Sequence, residues 1–406
     1  MKLRLIIGIA NFFGGISRIT KRGSGVMVTG RIILKLQPNA VSALSKNRQV
    51  ILISGTNGKT TTTSLIFSAL SVKCTVVSNY TGANLFAGLA AALSKNLSAP
   101  MAVLEVDEMV MPWAIKQTDP AMVVLLNLGR DQLDRLSEVR FVAQKWKDAL
   151  AGLPKECLLV ADADDPFVVW AGLDWSNVLW FSSGAYGHID ASTCPACGAV
   201  LQWSSDRAHY SCRCGFEKPD AQWRLVSDVL RGPQDQSVKV QSGIPGRAAL
   251  ANAARAIVAA SYFEISMQDS STAISRVTSV DGRFGKLKIG NTNFRLLLSK
   301  NPASWRETLE TSASGPKSVL LVVNANTQDG KDTSWLWDVD FTSLKQRYVV
   351  VTGDRRLDVS VRLTVNEIPH HLVMDESAAA TLLGEVEADL IASYTAFHRL
   401  AKSVAR

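Results

Sequence analysis

Val50-Ile-Leu-Ile-Ser-Gly-Thr-Asn-Gly-Lys-Thr-Thr-Thr-Thr-Ser64 is the stretch whose reading decides the fold. Val50 to Ile53 are apolar and make a short buried strand. Ser54 to Gly58 turn the chain, and Lys59 with four threonines opens a helix running through Leu65, Ile66, Phe67 and Leu70. A glycine turn between a strand and a helix start aims several backbone N–H groups at one point, where the helix dipole favours an anion. Lys59 adds a cation able to reach outer phosphates, and the Thr60 hydroxyl suits a magnesium ion. Gly55, Thr56, Asn57, Gly58, Lys59, Thr60 and Thr61 are therefore read as a nucleoside triphosphate site. The residue five before Gly58 is Ile53, where a strict P-loop has glycine, so the loop points to a particular kind of ATP enzyme.

Downstream of this loop, apolar strands at 50–54, 74–78, 101–106 and 121–127 alternate with helical patterns at 60–72, 82–96 and 138–150. Fully apolar strands alternating with helices predict a parallel sheet covered on both faces, with ligands beyond the carboxyl ends of the strands. Residues 190–220 interrupt the rhythm with Cys, Pro, Gly and aromatics, and a helix at 247–263 resumes it. Glycine-rich punctuation at 280–292 marks a boundary, after which strands at 294–299, 318–323 and 347–352 predict a second α/β unit. Upstream, residues 21–45 look like a basic, Gly- and Ser-containing loop. Met1 to Ile19 is apolar but broken by Gly8, Asn11, Gly14 and Gly15, too short and interrupted to span a bilayer. It is read as an amphipathic or core-packing helix able to touch a membrane surface, with no transmembrane segment expected.

With 406 residues, 47% hydrophobic and 20% charged, the chain has room for two or three folded domains and is not disordered. A net charge of +8 suits an anionic partner, although a merely basic surface accounts for it equally well.

Two acidic groups fall at strand ends near the phosphate loop. Glu105-Val-Asp-Glu108 follows the third strand, where Glu105 or Glu108 could share a magnesium ion with Thr60; a solvated acidic turn is the plain alternative. Asn127-Leu-Gly-Arg-Asp-Gln-Leu-Asp-Arg135 follows the fourth. Cys194-Pro-Ala-Cys197 and Cys212-Arg-Cys214, each pair followed by glycine, supply four thiolates suited to tetrahedral zinc, with His209 as a spare ligand. Such a closed site would be structural, and four buried or disulfide-bonded cysteines are the alternative. Cys74 and Cys157 stand alone in apolar surroundings and are read as core. The insert carries only Arg207 and Arg213 and no basic run, which argues against a nucleic-acid partner. Further on, Asp329, Asp332, Asp338 and Asp340 cluster around Ser334, Trp335 and Trp337 after a strand. Acidic residues beside buried aromatics at a strand end read more readily as a site than as a surface.

Gly-Thr-Asn-Gly-Lys-Thr, the acidic turn and Arg-Asp-Gln-Leu-Asp-Arg resemble the central ATPase domain of the Mur ligases, which activate a carboxylate as an acyl phosphate for attack by an amine. Gln132 stands where typical members have histidine. This substitution, the cysteine insert, Asp-Gly-Lys-Asp-Thr-Ser-Trp-Leu-Trp-Asp (329–338) and Ser-Tyr-Thr-Ala (393–396) are similar to the MurT branch of the family. The resemblance implies an N-terminal segment (1–45), a central ATPase domain (46–285) holding a zinc-ribbon insert (190–220), and a MurT-type, Rossmann-like C-terminal domain (286–406). It implies that Asn252 approaches the adenine, with Ala249 at a position where the family has a second asparagine, and that Arg283 approaches the phosphates. It also implies that Asp338 or Asp332 assists attack by ammonia.

The implied activity is ATP-dependent amidation of the D-glutamate α-carboxylate of lipid II, giving D-isoglutamine. The cofactors would be ATP, Mg2+ and structural Zn2+. No cysteine here has a nucleophile–base setting, so the family's answer for ammonia is a separate GatD-type glutaminase subunit forming a heterodimer with this chain. The implied location is the cytoplasm, at the inner face of the plasma membrane where lipid II is presented. A stand-alone Mur or folylpolyglutamate-type ligase that adds an amino acid is the rival reading, and an ATP-responsive zinc-ribbon module that binds nucleic acid is a more distant one.

Overall fold

The computed structural model describes residues 2–20, 25–79, 82–130, 139–184, 191–280 and 284–404. The chain forms two compact units. The first holds most of the residues up to Val277; the second holds Arg130, Ile244–Ala249 and the chain from Thr278 onward.

The first unit is built on β1 (Gln49–Ser54), β2 (Val76–Ser78), β3 (Met101–Glu105), β4 (Met122–Leu125), β5 (Leu158–Asp162) and β6 (Val178–Ser182). A two-stranded ribbon follows, β7 (Gln202–Trp203) and β8 (Tyr210–Ser211), and then β9 (Trp223–Val226), β10 (Val229–Arg231) and β11 (Ser237–Lys239). The main sheet runs in the order β11-β10-β9-β6-β5-β4-β1-β3-β2, with parallel pairing from β2 to β9 and antiparallel pairing at β10 and β11. Alternate residues of β1 enter opposite cores. Val50 and Leu52 pack with Leu89, Leu104 and Val123, whereas Ile51 and Ile53 pack with Leu65, Val103 and Ile257. A central strand buried on both faces has to be apolar throughout, hence the unbroken Val-Ile-Leu-Ile. The strand order reverses between β1 and β4, so the crevice beyond their carboxyl ends is where such a sheet binds ligands.

Residues 21–45 differ from the expected loop: Val26–Leu36 and Ala40–Ser45 are helices. Ile33, Ala40, Val41 and Leu44 are buried in the first core, and the basic Gly/Ser run is confined to residues 21–25 ahead of these largely apolar helices. Gly30 makes this possible, because a Cβ there would lie 1.7 Å from the Ala87 carbonyl oxygen of helix Phe86–Ser94. Upstream, Lys2–Ile19 forms a helix that buries Ile6, Ile7 and Ala10.

The second unit contains β12 (Phe284–Ile289), β13 (Thr292–Leu298), β14 (Ser318–Val322), β15 (Tyr348–Thr352), β16 (His370–Leu372) and β17 (Glu387–Ala392) in the order β12-β13-β17-β14-β15-β16. Only the β12/β13 hairpin is antiparallel. Apolar clusters cover both faces, one around Trp305, Phe341 and Val351, the other around Phe294, Leu320 and Phe397. At the amino-terminal end of this sheet, fully buried Asp389 accepts a bidentate pair from Arg295 (2.6 and 3.0 Å) and a hydrogen bond from Ser312 (2.5 Å). A buried carboxylate of this kind is stable only when so satisfied.

Candidate functional site

The phosphate loop leaves β1 and is held from β4's exit. Thr56 donates its backbone N–H to the Asn127 carbonyl (2.8 Å), and its hydroxyl both accepts from the Gly129 N–H (3.0 Å) and donates to the Gly129 carbonyl (3.1 Å). The Asn127 side chain accepts from the Asn57 N–H (2.9 Å) and donates to the Asn57 carbonyl (3.0 Å). The loop is thus fixed before any ligand arrives, which lowers the ordering cost of binding. Gly58 turns the chain into helix Lys59–Leu70 at φ +84°, a left-handed conformation that glycine adopts freely. A side chain there would also press on Asn252, whose amide lies 3.0 Å from the position of a Cβ. No side chain caps this helix and its first turn has no acidic residue, leaving its start suited to an anion.

Lys59, Thr60 and Thr61 are all buried. The Lys59 ammonium donates to Glu108 Oε1 (2.9 Å) and to the Gly55 carbonyl (2.5 Å), folding back over its own loop. Glu108 is held in turn by Trp146, whose indole N–H donates to its carbonyl (2.9 Å). The other carboxylate, Glu105, ends β3 and is almost fully buried. Its Oε1 accepts from Asn84 (3.1 Å), while Oε2 is buried with no hydrogen-bond partner. Asn79 brackets Glu105, accepting from its N–H (2.7 Å) and donating to its carbonyl (2.8 Å). An orphaned carboxylate oxygen of this kind is costly unless a cation serves it. The residues therefore fit a magnesium ion, with Glu105 offering the unpaired oxygen and Glu108 engaged with Lys59.

Behind the loop, Arg255 pairs with buried Asp162 at the end of β5, lies over the Phe181 ring (4.6 Å to its centre) and donates to Asn252 Oδ1 (3.2 Å). The Asn252 amide is thereby oriented at the foot of the phosphate loop. Sequence reading singled out Asn252 but missed Arg255, three residues on in the same helix, because its partner Asp162 lies 93 residues away, and missed Asn79, which acts on Glu105 26 residues away. Arg283 and Asp131, Gln132, Asp134 and Arg135 lie outside the described residues.

The cysteine insert brings all four sulfurs of Cys194, Cys197, Cys212 and Cys214 within 4.8 Å of one another, with Cys194–Cys214 at 3.7 Å and Cys197–Cys212 at 3.5 Å. Four ligands at about 2.3 Å from a tetrahedral zinc stand about 3.8 Å apart, so the quartet fits that ion. Burial pushes the Cys194 thiol up to about 12, whereas the Ala199 N–H and the Cys212 thiol draw Cys197 down to about 7. Tyr210 stacks on Phe216 and donates its hydroxyl to the Ala163 carbonyl (3.1 Å), and Lys218 pairs with buried Asp164 (2.7 Å), anchoring the insert beside β5 and β6. Of the lone cysteines, Cys157 is buried and held up to about 12 by burial, and Cys74 is half-buried.

In the second unit the four aspartates each have partners of their own. Asp329 is buried and accepts from the Thr395 N–H (2.8 Å) and hydroxyl (2.5 Å) and from the Asn326 N–H (3.0 Å). Asn324 joins this network through Ser393, Thr395 and the Asp354 N–H. Asp332 and Asp340 each accept from a backbone N–H two residues on, Ser334 (2.8 Å) and Thr342 (2.9 Å), and these donors hold both carboxyls below the usual range. Asp338 is exposed and lies 3.3 Å from Arg130. Trp335 is buried in the core with Trp305 and Phe341, but Trp337 is 57% exposed, so only one of the two tryptophans is a core residue.

A parallel sheet with a fixed glycine loop, a buried lysine and an orphaned carboxylate at its switch point defines a nucleotide-binding α/β protein. Residues 53–260 match the Mur ligase middle domain, and residues 298–397 match the MurT ligase C-terminal domain. The chain belongs to the Mur ligase family and is of its MurT type. It is 29% identical over 382 residues to the lipid II isoglutaminyl synthase (glutamine-hydrolyzing) subunit MurT of Staphylococcus aureus strain N315, covering 88% of this chain and 86% of that one. Its counterpart in Streptococcus pneumoniae strain R6 is 27% identical, covering 98% and 96%. Among solved structures, the MurF ligase of Thermotoga maritima in complex with ADP superimposes with a TM-score of 0.65 at 16% identity, covering 93% of this chain and 83% of that one. Among the described residues, no helix is long and apolar enough to cross a membrane.

Proposed function

We propose that this chain is the ligase subunit of a lipid II isoglutaminyl synthase, amidating the D-glutamate α-carboxylate of the lipid II stem peptide at the expense of ATP. The observation that carries the reading is that its likeness to the staphylococcal and pneumococcal subunits spans both units, while the phosphate loop keeps its lysine, threonines and fixed glycine turn. The ADP bound to the structurally similar MurF ligase supports the choice of nucleotide.

The loop amides, Lys59 and Thr60 hold the triphosphate, with Asn252 and Arg283 toward the nucleotide. A magnesium ion on Thr60 and Glu105, with Glu108 nearby, would offset phosphate charge. Lys59 exchanges its carbonyl and Glu108 contacts for phosphate oxygens. The substrate carboxylate oxygen attacks the γ-phosphorus, the bond to the β-phosphate oxygen breaks, and ADP leaves. Positioning and charge stabilisation suffice, and no protein nucleophile is needed. Ammonia attacks the resulting acyl phosphate carbon, phosphate departs, and the surplus ammonium proton passes to a carboxylate of the second unit, Asp338 or Asp332. Since the relatives are named as one subunit of a glutamine-hydrolysing synthase, the proposed source of ammonia is a separate glutaminase partner of GatD type in a heterodimer. The Cys194, Cys197, Cys212 and Cys214 quartet holds structural zinc. The subunit works in the cytoplasm, at the membrane face that presents lipid II.

The test incubates the purified chain with lipid II, ATP and ammonium, and in parallel with a panel of amino acids, followed by mass spectrometry of the stem peptide. Replacement of one carboxyl oxygen by NH, with ADP and phosphate released in equal amounts, is expected. Addition of an amino acid instead would sink the reading in favour of a stand-alone ligase.

A further inference from the structure

Helix Lys2–Ile19 is apolar on two sides, and only one of them is covered. Ile6, Ile7 and Ala10 face helix Val26–Leu36, where the Thr29 hydroxyl donates to the Ala10 carbonyl (3.3 Å). On the other side Leu5 (68% exposed), Ile9 (40%), Phe12 (66%), Ile16 (40%) and Ile19 (83%) stand open to solvent. Their spacing alternates four and three residues, which on a helix of about 3.6 residues per turn makes one continuous line. Phe13 flanks the line, edge-on to Phe12 with ring centres 5.6 Å apart. Isolated exposed apolar residues need no explanation, but a line of five large ones along a helix marks an interaction surface.

Charge selects the occupant. Arg4 and Arg18 sit exposed near the two ends of the line, and Arg31 and Lys35 are exposed on the next helix. No Asp or Glu occurs before Glu105, whereas twelve Lys and Arg do; the rest of the chain holds 32 of the 44 basic residues and all 36 acidic ones and is net acidic. The basic excess is therefore gathered in the segment that carries the apolar line. A second copy of the chain would bring cation against cation around the stripe, whereas an anionic bilayer complements both the charge and the apolar face. The helix does not qualify to cross a membrane, so it would lie along one.

We propose that helix Lys2–Ile19 is an interfacial anchor, seating Leu5, Ile9, Phe12, Ile16 and Ile19 among the acyl chains of an anionic phospholipid leaflet while Arg4 and Arg18 meet the phosphates. The biological purpose rests on the lipid-linked substrate proposed above; the binding itself does not.

The test is flotation of the full chain with vesicles of phosphatidylcholine alone and of an equimolar mixture with phosphatidylglycerol. Flotation with the mixture, weak flotation with the neutral vesicles and loss of binding at high salt are expected. Phe12→Asp with Ile16→Asp should cut the bound fraction about tenfold or more, and Arg4→Ala with Arg18→Ala a smaller amount. A Phe12→Trp variant reports directly, its emission shifting to the blue when anionic vesicles are added. Absence of flotation, flotation unaffected by the aspartates, or a concentration-dependent dimer that the aspartates abolish would each overturn the proposal, the last in favour of self-association. Amidation of a detergent-dispersed, short-chain lipid II separates the two readings. The Asp variant should keep that activity, while a wild-type chain that floats but cannot amidate condemns the proposed function and leaves the anchor standing.

Discussion

The carboxyl edges of the two sheets carry different kinds of polar construction. At the first, the loop backbone is pinned by Asn127 and Thr56 while the reactive groups stay available: Lys59 rests on a carbonyl and a carboxylate it can exchange for phosphates, and Glu105 keeps an unserved oxygen. At the second, Asp329, Asn324, Asn326 and Thr395 satisfy one another, and the aspartates outside that network cap turns or lie exposed. A closed network fixes loops, whereas an open one waits for a ligand. On this difference, nucleotide binding is expected at the first edge and loop positioning at most of the second, where Asp338 is an exposed carboxylate beside Arg130.

The largest expected effect falls on the open edge. Lys59→Ala should reduce ATP-dependent amidation about 10³-fold or more, since a charge stabiliser of the transferring phosphoryl group is lost. The same variant should also lower the thermal transition, because Glu108 loses its cationic partner, so the two chains are compared at a temperature where both are folded. An active Lys59→Ala chain would remove the contrast between the edges. Asp338→Asn comes next, with a loss of roughly 10²-fold confined to amide formation, as befits a proton acceptor. The check is single-turnover phosphate transfer: ADP formation should survive while the amide product does not.

The first edge was legible in the sequence because a phosphate loop is local. Val50 to Ser64 carry strand, turn and helix start in one run, and the acidic turn after β3 needs no partner to be noticed. The second edge was not, because spacing on a line says little about spacing in space. Asp329 is settled by Thr395, 66 residues away, and Asp162 by Arg255, 93 away. Trp335 and Trp337 looked equivalent in sequence, yet the short 3-10 turn Ser334–Asp338 sends one into the core and the other to solvent. The helix Val26–Leu36 was missed for a third reason: the basic Gly- and Ser-containing run at 21–25 set the reading for the residues after it, although Val26 to Leu36 are mostly apolar and pack Gly30 against Ala87.

Stability separates the first edge from the second through the ribbon. Cys212→Ser, or zinc removal by a chelator, should cost about 2–3 kcal/mol, a fall of roughly 5–10 °C in Tm, with loss of one bound zinc by metal analysis. Lys218→Met strikes the same attachment and adds a pH signature. Burial works to raise the Asp164 carboxyl, but the Lys218 charge and hydrogen bond, with Ser182 and Ser183, overcome it and hold the group below its ordinary value. A lowered pKa means that the pair's stabilisation is present above the unfolded value, about 3.9, and is lost as pH falls through the folded one. Without Lys218 the carboxylate is buried unpaired at neutral pH, costing about 3–5 kcal/mol. The penalty should shrink at acid pH, where Asp164 takes up a proton; Tm measured against pH for both chains would show a gap that narrows on acidification, and a gap of constant width would mean that Lys218 contributes packing alone.

The smallest effect is expected at Asp332, the second of the two aspartates that the family resemblance offered. Asp332 spends an oxygen on the Ser334 N–H, and its lowered pKa reflects that local bond rather than a poised proton. An asparagine keeps a carbonyl oxygen that can accept the same N–H, so Asp332→Asn should change amidation by no more than about threefold if the residue is only a turn cap. Asp332→Ala, which removes the acceptor, should then hurt more than Asn does, and do so through Tm as well as rate. If instead Asn and Ala are equally inactive with unchanged Tm, Asp332 acts through its charge. The second edge would then hold a chemical group disguised as a cap, and the contrast with the first edge would fail at that residue.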